Sequence, residues 1–346
     1  MPDAEVTTDP PICPFAACDA AGNRDVVGRG RDFLYGTTAE ETDIVRCPTC
    51  GIWHLAAVPD ERSMAIIYPA NYYAFSDATA EPPLVKLVRD RLERTKIRRY
   101  RRHLPERPIR VLDIGCGDGR LLDLFRRHAP EDWELSGIEI SGAAAEAARA
   151  KGFEVLCGDF MAADTSAWEG RFDLVLMHQV IEHVRESRRA VRKVRTLMAG
   201  GGIFSVETPN TDAWDARLFR RRYWGGYHLP RHFYLFTRES LARLLSENGF
   251  DVIASQPMLS PVLWIHSIHN AFADHAALKG VARWFNQHNV PLLGLFTALD
   301  GLLILVTGKS SNQRMLARRT DRGGDVRAVG AAGQGSRNSS TEDRAR

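Results

Sequence analysis

The run Arg110-Val111-Leu112-Asp113-Ile114-Gly115-Cys116-Gly117-Asp118-Gly119 decides how the rest of the chain is read. Val111, Leu112 and Ile114 are the short apolar run of a buried parallel strand, and Leu121, Leu122, Leu124 and Phe125 then recur at helical spacing. Glycines at alternate positions join the two. The reading is strand, tight turn, helix, with the turn at the carboxyl end of the strand, where open α/β sheets bind ligands. Glycine there permits conformations that a Cβ forbids and lets a ligand lie against the backbone. The spacing is not the dinucleotide fingerprint: the third glycine comes one residue early, and Arg120 stands where it would fall.

Further strands follow at regular intervals. Glu134 to Ile140 reads as a second strand with Glu139 near its end, and Glu154 to Cys157 as a third, leading into Gly158-Asp159-Phe160. Phe172 to Met177 is a fourth, ending in His178-Gln179-Val180-Ile181-Glu182-His183. Gly200-Gly201-Gly202 opens a fifth that runs into Glu207-Thr208-Pro209-Asn210, and Asp251 to Met258 is a sixth. Strands alternating with helical stretches predict a doubly wound α/β sheet, mostly parallel.

From Arg110 to Phe250 this series resembles the class I S-adenosylmethionine (SAM)-dependent methyltransferases. Asp113-x-Gly-x-Gly-x-Gly is similar to their first motif, His178 to His183 to their "hxxxEH" segment, and Gly200 to Asn210 to their "PGG-strand-ETPN". The resemblance implies a seven-stranded Rossmann-like sheet and SAM as cofactor. Gly115, Gly117 and Gly119 would floor the amino-acid part of the cofactor, with Asp113 near its ammonium. Glu139 would hold the ribose diol, Asp159 the exocyclic amine and Phe160 the adenine ring. His178, at the end of the fourth strand, completes the expected cofactor set. The usual antiparallel seventh strand is expected at Leu302 to Thr307, with a helical insertion between residues 259 and 301.

His232-Phe233-Tyr234-Leu235-Phe236-Thr237 looks like the "H-x-x-x-F-[ST]" stretch of small-molecule members, which include ubiquinone-type O-methyltransferases and sugar C-methyltransferases with an N-terminal zinc motif. If the nucleophile is a hydroxyl, histidine is the side chain best tuned to take its proton near neutral pH. His232, His228 and His183 are the catalytic candidates, with His232 as the base. In the sugar enzymes a glutamate precedes this histidine. Here it is Arg231, which weakens a C-methyl reading and is expected to bind an anionic group instead. Glu182-His183 resembles a segment that holds a divalent metal in ubiquinone-type enzymes. Gln179 stands where a further glutamate is needed, so a structural role for His183 is expected.

Cys13, Cys18, Cys47 and Cys50 form two close pairs across a polar stretch, the pattern of a structural zinc site in a ribbon-like domain spanning 1–60. Four thiolates leave no position for a catalytic water. Gly51 is placed to aim a backbone N–H at sulfur. Cys116 and Cys157 are read as packing residues. Residues 61–105 hold an aromatic linker (Tyr68, Tyr72, Tyr73, Phe75) suited to a lid and a helix from Leu84 to Leu104 dense in Lys and Arg. The catalytic domain is expected at 106–309 and a disordered polar tail at 310–346.

With 44% hydrophobic and 26% charged residues the composition is ordinary for a soluble globular protein, and a net charge of only +3 means that the whole chain is not a polyelectrolyte. Met1 to Pro11 is acidic and polar, unlike a signal peptide, so a cytoplasmic setting is expected. The basic helix and the apolar insertion allow peripheral membrane contact, although Val290 to Val306 is broken by Asp300 and glycines. The expected acceptor is a small molecule, a glycan or a lipid-linked intermediate. An RNA substrate, served by ribbon and basic helix, is the competing reading, but the segment after the fourth strand is not of the N/D-P-P-Y type. A non-catalytic scaffold is opposed by the intact acids Asp113, Glu139 and Asp159.

Overall fold

The structure is a computed structural model that describes residues 6–15, 18, 25–68, 91 and 94–320. The central sheet has seven strands: β6 (Arg110–Ile114), β7 (Glu134–Glu139), β8 (Glu154–Cys157), β9 (Phe172–His178), β10 (Met198–Pro209), β12 (Phe250–Met258) and β13 (Asn312–Arg319). Their order is β12-β13-β10-β9-β6-β7-β8, with β13 antiparallel to both neighbours and the pairs β6–β7, β6–β9, β7–β8 and β9–β10 parallel. The strand order reverses between β6 and β9, which puts the crevice of a doubly wound sheet beside the glycine turn. Central strands are apolar because both faces are covered: Val111, Leu112, Leu174, Val175, Leu176 and Met177 are all fully buried.

The helix Arg120–His128 buries Leu122, Leu124 and Phe125, and its last turn carries Arg126, Arg127 and His128, where cations favour the helix dipole. Thr237 caps the helix Arg238–Ser246 by accepting the N–H of Ser240, whose own hydroxyl accepts the N–H of Thr237. Helical residues 94–101 bury Ile97 and Tyr100 against Val111, Phe125, Leu174 and Ile203, so this part of the basic helix packs on the sheet. Residues 84–90 and 92–93 of it, and Tyr72, Tyr73 and Phe75 of the expected lid, lie outside the described residues.

The seventh strand is not Leu302 to Thr307. That run is the end of an 18-residue helix, Val290–Thr307, started by Asn289, which accepts the N–H of Leu292, and stopped by Gly308 in the left-handed region. The strand is β13, which lies inside the stretch expected as the tail and stands second from the edge of the sheet, between β12 and β10. Its polar residues mislead because they are buried in pairs: Gln313 donates to two backbone carbonyls and Arg314 to Glu207. The insertion therefore runs to the end of this helix, and residues 310–320 of the expected disordered tail are folded, residues 321–346 lying outside the described residues. The insertion is helical as expected, with Pro261–Ala273 and Val290–Thr307 joined by the short helix Lys279–Ala282.

The N-terminal part pairs β1 (Thr8–Asp9) with β5 (Val58–Pro59) and builds a small sheet from β2 (Asp25–Gly30), β3 (Thr42–Arg46) and β4 (Trp53–Leu55). The fourth strand of this small sheet comes from the catalytic region: β11 (Tyr234–Leu235) pairs antiparallel with β4, Tyr234 opposite His54 and Leu235 opposite Trp53.

Candidate functional site

The turn after β6 is built from three left-handed glycines, each doing a different job. A Cβ on Gly115 would come within 2.6 Å of Val180, and one on Gly119 within 3.1 Å of Ala148 and Phe153. These two positions are small because the protein packs on them. Gly119 thus does the helix-packing work that a third fingerprint glycine does elsewhere. Gly117, at φ +56°, has nothing within 4 Å of its would-be Cβ. That space is open to a ligand.

Two buried carboxylates stand behind it. Glu139 accepts the N–H of Gly117 and the N–H of Ser141, both at 2.8 Å, which ties the end of β7 to the glycine turn. Asp113 is pushed up to about 8, first by burial and then by repulsion from Glu139 and Glu207. A carboxyl so raised holds its proton at neutral pH and ionises when a cation arrives. An acid at the end of β7, an acid inside β6 and an open glycine between them suit the ammonium, sulfonium and ribose hydroxyls of SAM. Asp159 is exposed and accepts the N–H groups of Met161 and Ala162. Phe160 is buried under the Lys193 ammonium, which lies 5.2 Å from its ring centroid.

His178 ends β9. Its Nε2 lies 3.0 Å from Ser205 Oγ, and its Nδ1 lies 3.7 Å from Glu207. Burial lowers its pKa to about 4, against the attraction of Glu207. Gln179, at φ +56°, turns the chain and meets Asn312 through its amide. Val180 then closes over Gly115, and the short turn Ile181–His183 delivers Glu182 and His183.

Here all three candidate histidines meet. The ring centroids of His183 and His232 are 4.6 Å apart, those of His228 and His232 4.9 Å, and those of His183 and His228 6.2 Å. His232 Nδ1 is 2.8 Å from the carbonyl of Gly226, and His183 Nδ1 is 3.1 Å from that of Arg231. A carbonyl only accepts, so each Nδ1 carries the proton and each Nε2 keeps a lone pair. Burial lowers all three pKa values, that of His183 to about 4 and those of His228 and His232 well below the usual range. Glu182 is fully buried among them, with neither carboxyl oxygen hydrogen-bonded, and burial pushes it up to about 8. Glu182, His183 and His232 offer ligand atoms within 4.8 Å of one another, a spacing that one ion could bridge.

His228, itself at φ +40°, lines a small cavity with Trp224, Tyr227 and Leu229 on one side, Phe33 and Leu34 on another, and His266 and Asn270 of the insertion on a third. His232 does not line it. The sequence pointed to the histidines as a group, but not to His266, because a lone histidine on an apolar helix carries no motif. It also missed Tyr68 as the residue whose hydroxyl lies 3.0 Å from His183 Nδ1.

Arg231 is not available to an anionic acceptor. It is fully buried and donates to Asp32 at 2.8 Å, Thr37 at 3.0 Å and the carbonyls of Ile67 and Leu229. It fastens the histidine segment to the N-terminal module.

Cys13, Cys18, Cys47 and Cys50 place their sulfurs within 4.8 Å of one another, with 3.6 Å between those of Cys13 and Cys50. Tetrahedral zinc with bonds of about 2.3 Å separates its sulfurs by roughly 3.8 Å, so the group fits a structural ion. Cys13, sharing a proton with Cys50, is pushed up and Cys50 is pulled down. The N–H of Gly51 closes the turn on the carbonyl of Cys47, and it is the N–H of Ile52 that helps to lower Cys50. Cys116 is buried as expected, whereas Cys157 is exposed.

Residues 88–255 match the family model described as a methyltransferase domain. The chain is 28% identical over 175 residues to a ubiquinone biosynthesis O-methyltransferase of Cereibacter sphaeroides, a match covering 48% of this chain and 70% of that protein. It is 26% identical over 181 residues to a trans-aconitate 2-methyltransferase of Rhodopseudomonas palustris, covering 51% and 67%. Among solved structures, a SAM-dependent methyltransferase of Archaeoglobus fulgidus superimposes with a TM-score of 0.43 at 20% identity, over 66% of this chain and 94% of that one. The fold is the Rossmann-like fold of class I SAM-dependent methyltransferases, and the sequence matches support that activity.

Proposed function

We propose, on the premise that residues 88–255 form a class I SAM-dependent methyltransferase domain, that this chain methylates an oxygen of a small or lipid-linked acceptor. The observation that carries the reading is the open space over Gly117 with Asp113 and Glu139 behind it. SAM supplies a methyl group on a sulfonium, an electrophile strong enough that the protein needs to add only position and proton traffic. Asp113, Gly115, Gly117, Gly119 and Glu139 would hold the cofactor, with His178, Asp159 and Phe160 at the ends of the neighbouring strands. His228 meets the acceptor in its cavity and takes the hydroxyl proton. Burial, and then His183, keep His228 neutral, and His232 and His183 stand edge-to-face against it. An oxygen acceptor is supported by the named activity of the first relative, and by Arg231, which stands where C-methylating sugar enzymes carry a glutamate and is engaged elsewhere. The cysteine site would hold a structural zinc.

The test is transfer of labelled methyl from SAM to a phenol-bearing and to a carboxylate-bearing acceptor. His228→Ala and His232→Ala should each lower turnover by about 10²-fold or more, the usual worth of a general base. SAM affinity by calorimetry should stay within about twofold, since neither touches the glycine turn. Unchanged turnover in both variants would remove the histidines from the chemistry. Calorimetry without any SAM binding by the native chain would remove the reading altogether.

A further inference from the structure

The insertion's long helix is amphipathic in the wrong sense for a surface helix. Its one charged residue, Asp300, is buried, accepting from the Ser260 N–H at 2.7 Å and the Ser310 hydroxyl at 2.8 Å. Phe296 is buried one turn earlier against Trp264. The opposite face, Pro291, Leu295, Ala298, Leu302, Leu305 and Val306, recurs at three- and four-residue spacing, is exposed and contains no polar side chain. Leu305 is 85% exposed and Val306 75%. A soluble helix turns polar residues outward; an exposed stripe this long marks a surface that something covers.

The charges around the stripe say what covers it. The insertion's two acids are spent internally: Asp300 as above, and Asp274 in ion pairs with Arg31 and Arg222. Lys279 and Arg283 are exposed at the amino end of the stripe, flanking Trp284, which is 61% exposed, and neither has an acid in reach among the described residues. The adjoining helix Trp214–Phe219, whose Phe219 packs against Trp264, presents Trp214 and Leu218 to solvent beside Arg217, Arg220 and Arg221. Exposed leucines flanked by tryptophan and unpaired cations match the acyl boundary and the anionic headgroups of a lipid surface.

We propose that the helix Val290–Thr307 lies flat on an anionic lipid bilayer as a monotopic anchor. At about 27 Å it is long enough to span, but Asp300 and Phe296 fasten its midpoint to the protein body. This rests on, and deepens, the methyltransferase reading. The neighbouring helix Pro261–Ala273 contributes His266 and Asn270 to the cavity at His228, so the anchor brings that cavity to the membrane surface, where a lipid-linked acceptor resides.

The experiment is sedimentation of the full chain with vesicles of phosphatidylcholine alone or mixed with phosphatidylglycerol. Binding should appear with the mixed vesicles and weaken with salt. Leu302→Glu with Leu305→Glu should cut partitioning by about tenfold or more, as expected when two leucines leave the acyl boundary. Lys279→Glu with Arg283→Glu should abolish the preference for phosphatidylglycerol. SAM affinity of each variant, measured by calorimetry, should match the native chain; loss of SAM binding by the native chain would sink the enzymatic reading and leave the anchor standing. Native chain that stays in solution with both vesicles would overturn the proposal. So would a native dimer that Leu302→Glu converts to a monomer, which makes a second copy the cover, or membrane-bound chain released by detergent but not by alkaline carbonate, which makes the helix a span.

Discussion

At Gly117 the difference between a cradle and a blocked site is a side chain. Gly117→Val should abolish SAM binding in calorimetry while far-UV circular dichroism stays native. The left-handed conformation costs any residue with a Cβ about 1–3 kcal/mol, so Gly117→Ala is the control: it carries the strain without the bulk and should bind more tightly than the valine variant. Equal, native-like affinity in both would mean the cofactor lies elsewhere. Asp113 supports a separate prediction. Its carboxyl is raised to about 8 and is protonated at pH 7; a bound cation favours the carboxylate, so binding must release a proton. Calorimetric enthalpies at pH 7 should therefore change with the ionisation enthalpy of the buffer, and the effect should vanish in Asp113→Asn. Buffer-independent enthalpies would show that no cation reaches Asp113.

Among elements, the pairing of β4 with β11 is the one that joins cysteines to histidines. Cys47 and Cys50 lie just before β4, β11 begins two residues after His232, and Asp32 of the same module grips Arg231. Loss of the metal site should therefore loosen the histidine segment. Cys50→Ser is expected to drop zinc, counted by native mass spectrometry, from one per chain to none, and to raise hydrogen exchange at residues 231–236 while leaving β6 and β7 protected. Unaltered exchange at 231–236 would mean that the two modules are energetically independent. This link was not legible in the sequence, where the cysteines and His232 read as separate motifs, because a two-residue strand pair has no periodicity. Of the elements that were legible, the edge strands β8 and β12 are only partly buried, whereas β6 and β9 are buried on both faces and announce themselves as apolar runs. β13 did not, since Gln313 and Arg314 are buried with partners supplied by residues about a hundred positions away, and Leu302 to Thr307 took its place because an apolar run alone does not distinguish strand from helix. The glycine turn was readable because backbone geometry restricts its residue types. The cavity at His228 was not, because it is assembled from three separated stretches of chain.

For the molecule as a whole, buried titratable groups set a pH window. His178, His183 and His266 are lowered to about 4, and His228 and His232 are lowered further in the same direction, mainly by burial. Each is neutral when folded and takes a proton near pH 6.5 when unfolded, so acidification below that point favours unfolding. Asp113 and Glu182 are raised to about 8 and Asp215 to about 6. These hold protons in the fold that the unfolded chain releases near pH 4, so they make stability fall as pH rises from 4, Asp215 up to about 6 and Asp113 and Glu182 up to about 8. The histidines outnumber the acids, and each net proton is worth about 1.4 kcal/mol per pH unit. Stability should therefore rise from pH 5 to about 6.5, where the histidines stop contributing, and then fall toward pH 8 as the acids act alone. Below pH 4.5 the ion pair of Glu207, held down at about 2 although burial opposes it, adds to the acid limb as it protonates. Calorimetric Tm values of the cofactor-free chain, in buffer without added divalent ions, should trace this maximum. Glu182→Gln keeps the neutral shape that the site imposes and should flatten the alkaline limb while leaving the acid limb steep. A Tm that climbs from pH 6.5 to 8 in the native chain, or an alkaline limb unmoved by Glu182→Gln, would show that Glu182 is already ionised in its pocket.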